Sequence, residues 1–190
     1  MDLQPAKPTP DRTCGACTLC CKVYIIPSLG KPEGKWCSHC VKSGGCKIYD
    51  SRPAECREFF CLWMVDASIP MSWKPDIAKM SMSVHPKTGF IHVQVDPGFP
   101  QAWRREPYFS DMKRWAEQLL PNARHLIIFV NSKAILMMPS GPTEIGSMSP
   151  DTGFFVRERY TASGKVYEVE KLDPSMASRP QSLQSLARNS

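Results

Sequence analysis

All nine cysteines of this chain lie between residues 14 and 61, and the remainder out to Ser190 contains none. They are Cys14, Cys17, Cys20, Cys21, Cys37, Cys40, Cys46, Cys56 and Cys61. Inert core thiols would be scattered through the hydrophobic pattern of the whole chain. These instead crowd into loop-like sequence rich in Gly, Lys and Pro. An odd number argues against a disulfide framework. The opening MDLQPAKPTPDRT has no apolar run of the secretory kind. The expected location is therefore cytoplasmic, where structural disulfides are rare. A module of about fifty residues has little room for a hydrophobic core of its own. Such modules are commonly stapled by a metal, and binding energy then becomes folding energy. The expectation is a metal-binding module over residues 14–66 with all nine cysteines as candidate ligands.

The spacings agree with that. C-x2-C occurs at Cys14/Cys17, Cys17/Cys20 and Cys37/Cys40, and two thiolates so spaced reach one ion from a tight turn. The doublet Cys20–Cys21 constrains the geometry. On a helix the two would point about 100° apart, and on a strand to opposite sides. Adjacent thiols are thus poorly placed to ligate one mononuclear ion together. Three readings stay open: the two serve different centres, one bridges metals, or one is packing. Setting one aside leaves eight, enough for two four-thiolate sites.

Downstream, Gly44 and Gly45 allow a tight turn before Cys46. Asp50 or Ser51 can cap a helix with Pro53 in its first turn and Cys56 within it. Cys61 follows five residues later, so an unbroken helix would not aim both thiols at one ion. His39 offers an alternative ligand nitrogen, although an exposed histidine is the plainer reading. A four-thiolate zinc or [4Fe–4S] site carries two negative charges, which Lys22, Lys47, Arg52 and Arg57 could offset. Two such sites would lower the formal net charge of +6 by four. That weakens any argument for nucleic acid from net charge.

The run C-x2-C-x2-CC at Cys14–Cys21, followed by GCKIYDSRPAECREF at 45–59, resembles the CxxCxxCC family, the YkgJ-like cysteine cluster proteins. That family is described as chelating zinc or iron. The resemblance covers roughly residues 14–63. It implies Cys14, Cys17, Cys20, Cys21, Cys46 and Cys56 as ligands. This chain departs from the pattern in its paired Cys37/Cys40 and its extra Cys61. A related cluster occurs in flagellin lysine N-methylases, where it is associated with an iron–sulfur cluster. An iron–sulfur-dependent protein-modifying enzyme is therefore the alternative reading.

Composition divides the rest. Residues 1–13 read as a flexible tail, 67–172 as an α+β domain, and the Ser-rich 173–190 as a disordered tail, or less plausibly a short helix in SLQSLARNS. Strands are expected at 79–84 and 90–95, where Ile91, Val93 and Val95 alternate with His92 and Gln94. A helix is expected at 110–120 with Ser110 as N-cap and Pro121 as stop, burying Met112, Trp115, Ala116 and Leu119. Hairpins are expected at 126–138 and, more exposed, at 154–170. Strands, helix, strands favour an antiparallel sheet with helix cover. Ferredoxin, radical-SAM, zinc-deaminase, P-loop and dinucleotide motifs are all missing. AWRREPYFSDMKRW (102–115) is the nearest thing to an aromatic-and-basic strip, so a zinc-ribbon-like nucleic-acid binder is the third and weakest reading. The expected partner is a protein or small molecule, and no segment has the roughly 18 apolar residues of a membrane span.

Overall fold

The structure, a computed structural model, describes residues 8–41, 44–148, 153–162 and 164–171. The tail at 173–190, with its proposed short helix, lies outside the described residues. The chain forms two compact units, Met1–Gly146 and Ser147–Ser190. The elements of the first unit are, in order, α1 (Cys20–Val23), β1 (Cys40–Val41), β2 (Gly45–Cys46), α2 (Ala54–Arg57), α3 (Leu62–Val65), α4 (Pro75–Ala78), β3 (Met80–Val84), β4 (Ile91–Val95), α5 (Tyr108–Leu119), β5 (Leu126–Val130), β6 (Lys133–Met138) and β7 (Gly141–Ser147). The fold is α+β, as the sequence implied.

The main sheet has the order β3-β4-β5-β6-β7. Its pairs β3/β4 and β5/β6 are antiparallel, whereas β4/β5 is parallel. The parallel step follows from the connection, because α5 carries the chain back over the sheet before β5 begins. Strand and hairpin boundaries fall within a residue of those read from alternation. Asn131 and Ser132 both have positive φ, 48° and 64°, the geometry of the two-residue turn whose twist matches its strands. Strand β7 was not expected, because its GPTEIGS carries neither the alternation nor the apolar run of its neighbours.

One sheet face builds the core. Met80 and Met82 pair with Val95 and Val93, Val93 with Ile128, and Ile128 with Ile135. All are buried, together with Met112 and Ala116 of α5 and the rings of Trp73 and Trp103. Trp115 and Leu119 pack partly buried on the same cluster, completing the helical face expected. The helix starts two residues before Ser110, with Pro107 at the N-cap. Trp73 Nε1 donates to Asp111 Oδ2 at 2.8 Å, and Tyr108 Oη to the Ser72 carbonyl at 3.0 Å, so the helix is fixed in register as well as buried. Cys61, Trp63 and Met64 belong to this core too, so the end of the cysteine stretch is rooted in the sheet domain.

In the second unit, β8 (Phe154–Thr161) and β9 (Gly164–Lys171) form an antiparallel hairpin. Exposed cross-strand pairs line it, Arg159 with Glu168 at 2.9 Å and Lys165 with Glu158 at 2.8 Å. Exposed to solvent and screened by it, such pairs add little to stability.

Candidate metal centre

The cysteine stretch is held by contacts between residues distant in sequence. Arg12 donates to the carbonyls of Trp63 (2.5 Å), Asp66 (2.8 Å), Ala67 (3.0 Å) and Ile69 (2.7 Å). It therefore caps the C-terminal end of α3 and the turn beyond it, where carbonyls lack intrahelical partners and a cation is favoured. Its guanidinium also lies 5.0 Å from the Trp63 ring centre. This clamp delivers Cys14, two residues on, to the start of α3. There the Cys14 thiol meets Met64 Sδ at 4.0 Å, and the Met64 amide bonds the Cys61 carbonyl at 2.8 Å. The Cys17 amide closes a turn onto the Cys14 carbonyl at 2.8 Å.

A second set of contacts organises the other cysteines. The Cys37 amide bonds the Cys21 carbonyl at 2.9 Å. Cys40 and Cys46 face each other across β1 and β2, and Gly45 at φ 91° makes the turn that only glycine takes easily. Cys56 sits in α2, a helix of one turn that ends at Arg57, and Cys61 is the N-cap of α3. The helix thus breaks between Cys56 and Cys61, as their spacing required if both were to face inward. Tyr24 ties the stretch to the sheet by donating to Ser81 Oγ at 3.2 Å, and its ring packs on Phe59 at 4.6 Å.

Cys14, Cys17, Cys20, Cys21, Cys37, Cys46, Cys56 and Cys61 line a single cavity of about 260 Å³, far above the roughly 10–15 Å³ that one water needs. Apolar side chains such as Ile26, Leu29, Phe59 and Phe60 make much of the remaining wall. Of the nine cysteines, only Cys40 does not line it. His39 does not line it either. All nine thiols are free. Among the described residues, no three His, Cys, Asp or Glu side chains stand close enough together to grip a metal ion as placed. The thiols surround the cavity rather than converging within it.

Six of the thiols are pushed up from their ordinary value. Hydrogen bonding to Cys20 and then burial push the Cys21 thiol far up. Burial pushes Cys61 up to about 11, with Cys14 and Cys17 acting the same way. Burial and then Cys21 push Cys40 up to about 11. Burial likewise raises Cys14, Cys17 and Cys56. Without a cation these thiols stay protonated at neutral pH, and a metal must displace their protons.

Lys31 supplies the signal that sequence reading missed. It is only 5% exposed, and its Nζ donates to the carbonyls of Lys22 (2.7 Å) and Tyr24. No carboxylate among the described residues pairs with it. Burial pushes its ammonium down, and thiolates at Cys21, Cys37 and Cys20 would hold it up. A buried ammonium is costly unless negative charge offsets it; thiolates at Cys21, Cys37 and Cys20 would supply that charge, with Glu33 adding to it. Of the expected charge partners, Arg52 lines the cavity and its charge acts on Cys14. Lys22 is instead paired with Asp96. Neither Arg12 nor Lys31 has a local sequence pattern, because each works through contacts created by folding.

The strip at 102–115 offers little aromatic surface to nucleic-acid bases, since Trp103 and Tyr108 are buried. Among the described residues no helix is long and apolar enough to cross a membrane. No family model, no curated protein and no solved structure matches the chain.

Proposed function

We propose that residues 14–61 chelate zinc or iron, the iron alternative including a [4Fe–4S] cluster, and that the metal completes the fold of this part of the chain. The observation that carries the reading is the cavity ringed by eight of the nine cysteines. The donor chemistry fits. Thiolates favour zinc and iron–sulfur clusters over hard ions such as magnesium or calcium. Apolar side chains make much of the wall between the sulfurs, and Lys31 and Arg52 offset the negative charge that bound thiolates bring. When bound, the metal supplies a crosslink between segments that are distant in sequence, and the thiols move inward to meet it. The resemblance of residues 14–21 and 45–59 to the CxxCxxCC family supports the same reading, and nine unbridged thiols suit a reducing, cytoplasmic setting. The partner is a protein or small molecule met by the surface of the α+β domain.

The test is purification without oxygen, followed by zinc, iron and sulfide analysis and a visible spectrum. A metal bound in stoichiometric amount supports the reading, colourless for zinc and brown for an iron–sulfur cluster. Replacement Cys17→Ser should lower metal content and the melting temperature together. A wild-type chain that carries no metal and takes up neither zinc nor iron contradicts it.

A further inference from the structure

We propose that the cysteines form two separate metal centres within the one cavity, divided at the Cys20–Cys21 doublet. Cys14, Cys17, Cys20 and Cys61 hold the first, and Cys21, Cys37, Cys46 and Cys56 hold the second, all eight lining the cavity. This inference rests on the metal-binding reading and sharpens it.

The division follows from how the backbone is anchored. Arg12 and Met64 bring Cys14 to the start of α3, beside Cys61. Cys17 follows Cys14 through a closed turn. This group belongs to the side of the cavity rooted in the sheet domain, where Cys61 and Met64 join the core. The other group is built on the β1–β2 hairpin, which carries Cys40 and Cys46 in register, and on the backbone bond that joins Cys37 to Cys21. Two sets of anchors thus lie one on each side of the doublet.

The doublet sits where the two groups meet. Cys20 and Cys21 open α1 and both line the cavity. A rotation of about 100° between consecutive helical residues turns them to different neighbours. The Cys21 carbonyl accepts from the Cys37 amide at 2.9 Å, whereas the Cys20 carbonyl accepts from the Tyr24 amide at 3.4 Å.

The experiment titrates reduced, metal-free full-length chain with Co(II) under anaerobic conditions and follows the thiolate-to-cobalt absorption. The wild type should saturate at about two cobalt ions per chain, each with the absorption of a tetrahedral thiolate site. Cys61→Ser and Cys37→Ser should each lose about half the bound cobalt, and the double variant should lose tight binding altogether. Circular dichroism at the β-sheet minimum checks that each variant keeps its sheet, and Cys14→Ser and Cys46→Ser stand in for any variant that does not. Saturation at one cobalt ion, or loss of all cobalt on either side, overturns the two-centre division and leaves metal binding intact. A wild type that takes up no cobalt overturns both.

Discussion

Among the described residues between Cys14 and Cys61, the longest helix has four residues and the longest strand two. The sheet strands run from five to seven residues, and α5 has twelve. The two regions are held by different physics. In the sheet, regular hydrogen-bond ladders and a continuous apolar face act together, with Met80, Val93, Leu126, Ile128 and Ala134 all at 0% exposure. In the cysteine stretch, single long-range clamps carry the structure: Arg12 on four carbonyls, Lys31 on two, Tyr24 on Ser81. A region with so few local bonds depends on whatever crosslinks its segments.

The largest expected effect is therefore metal removal. Chelation under reducing conditions should abolish amide protection between Cys14 and Cys56 while leaving β3 to β6 protected, as measured by hydrogen exchange. Structural zinc sites in small peptides supply about 10–16 kcal/mol at neutral pH, which sets the scale. Simultaneous loss of protection in the sheet would show that the regions are not energetically distinct.

Leu136→Ala probes the other side of the comparison. Leu136 is fully buried in β6, and the substitution should cost about 2–5 kcal/mol. The readout is a lowered denaturation midpoint with metal content per folded chain unchanged. Loss of metal from a chain that is still folded would couple the regions more tightly than described.

Lys31→Met should act with opposite sign in the two states of the cysteine stretch. In the metal-free chain it removes a buried ammonium, and stability should hold or rise. In the loaded chain it removes a charge beside Cys21 and Cys37. Metal affinity should then fall about tenfold to a hundredfold, the range for groups that support ligands indirectly. Competition against a chromophoric chelator measures it, and unchanged affinity would remove Lys31 from the account.

The smallest effect belongs to the sheet. Burial, aided by the stacked ring of His85 at 5.0 Å, pushes His92 down to about 4 from its ordinary 6.5. Between those values the unfolded chain binds more protons than the folded one, so stability rises with pH across this window. It is fully present above pH 6.5 and is lost as pH falls toward 4. Because the ring is only partly buried, the contribution is about 1 kcal/mol after solvent screening. His92→Gln should flatten that part of the stability profile, and a slope that persists would assign it to other groups such as His125.

What could be read in advance follows the same division. Alternation in Ile91–Val95 and the apolar run Leu126–Val130 reported their strands because one side chain in two, or nearly all, faces apolar neighbours. The parallel pairing of β4 with β5 was not legible, because the alternation of a strand does not name its neighbour. In the cysteine stretch the opposite held. Spacing named the residues around the cavity, yet not their grouping, which depends on Arg12 meeting carbonyls more than fifty residues away. Cys40 shows the limit most clearly. Its C-x2-C spacing equals that of Cys14/Cys17, but the hairpin turns it behind the cavity wall.

The central claim is that metal, not protons, occupies these sulfurs in the native chain. The most direct measurement counts thiols that react with a chromogenic thiol reagent in the anaerobically purified chain, before and after chelation. The account predicts that few react at first and that all nine react once metal is withdrawn. Immediate reaction of all nine, with no metal released, would contradict it.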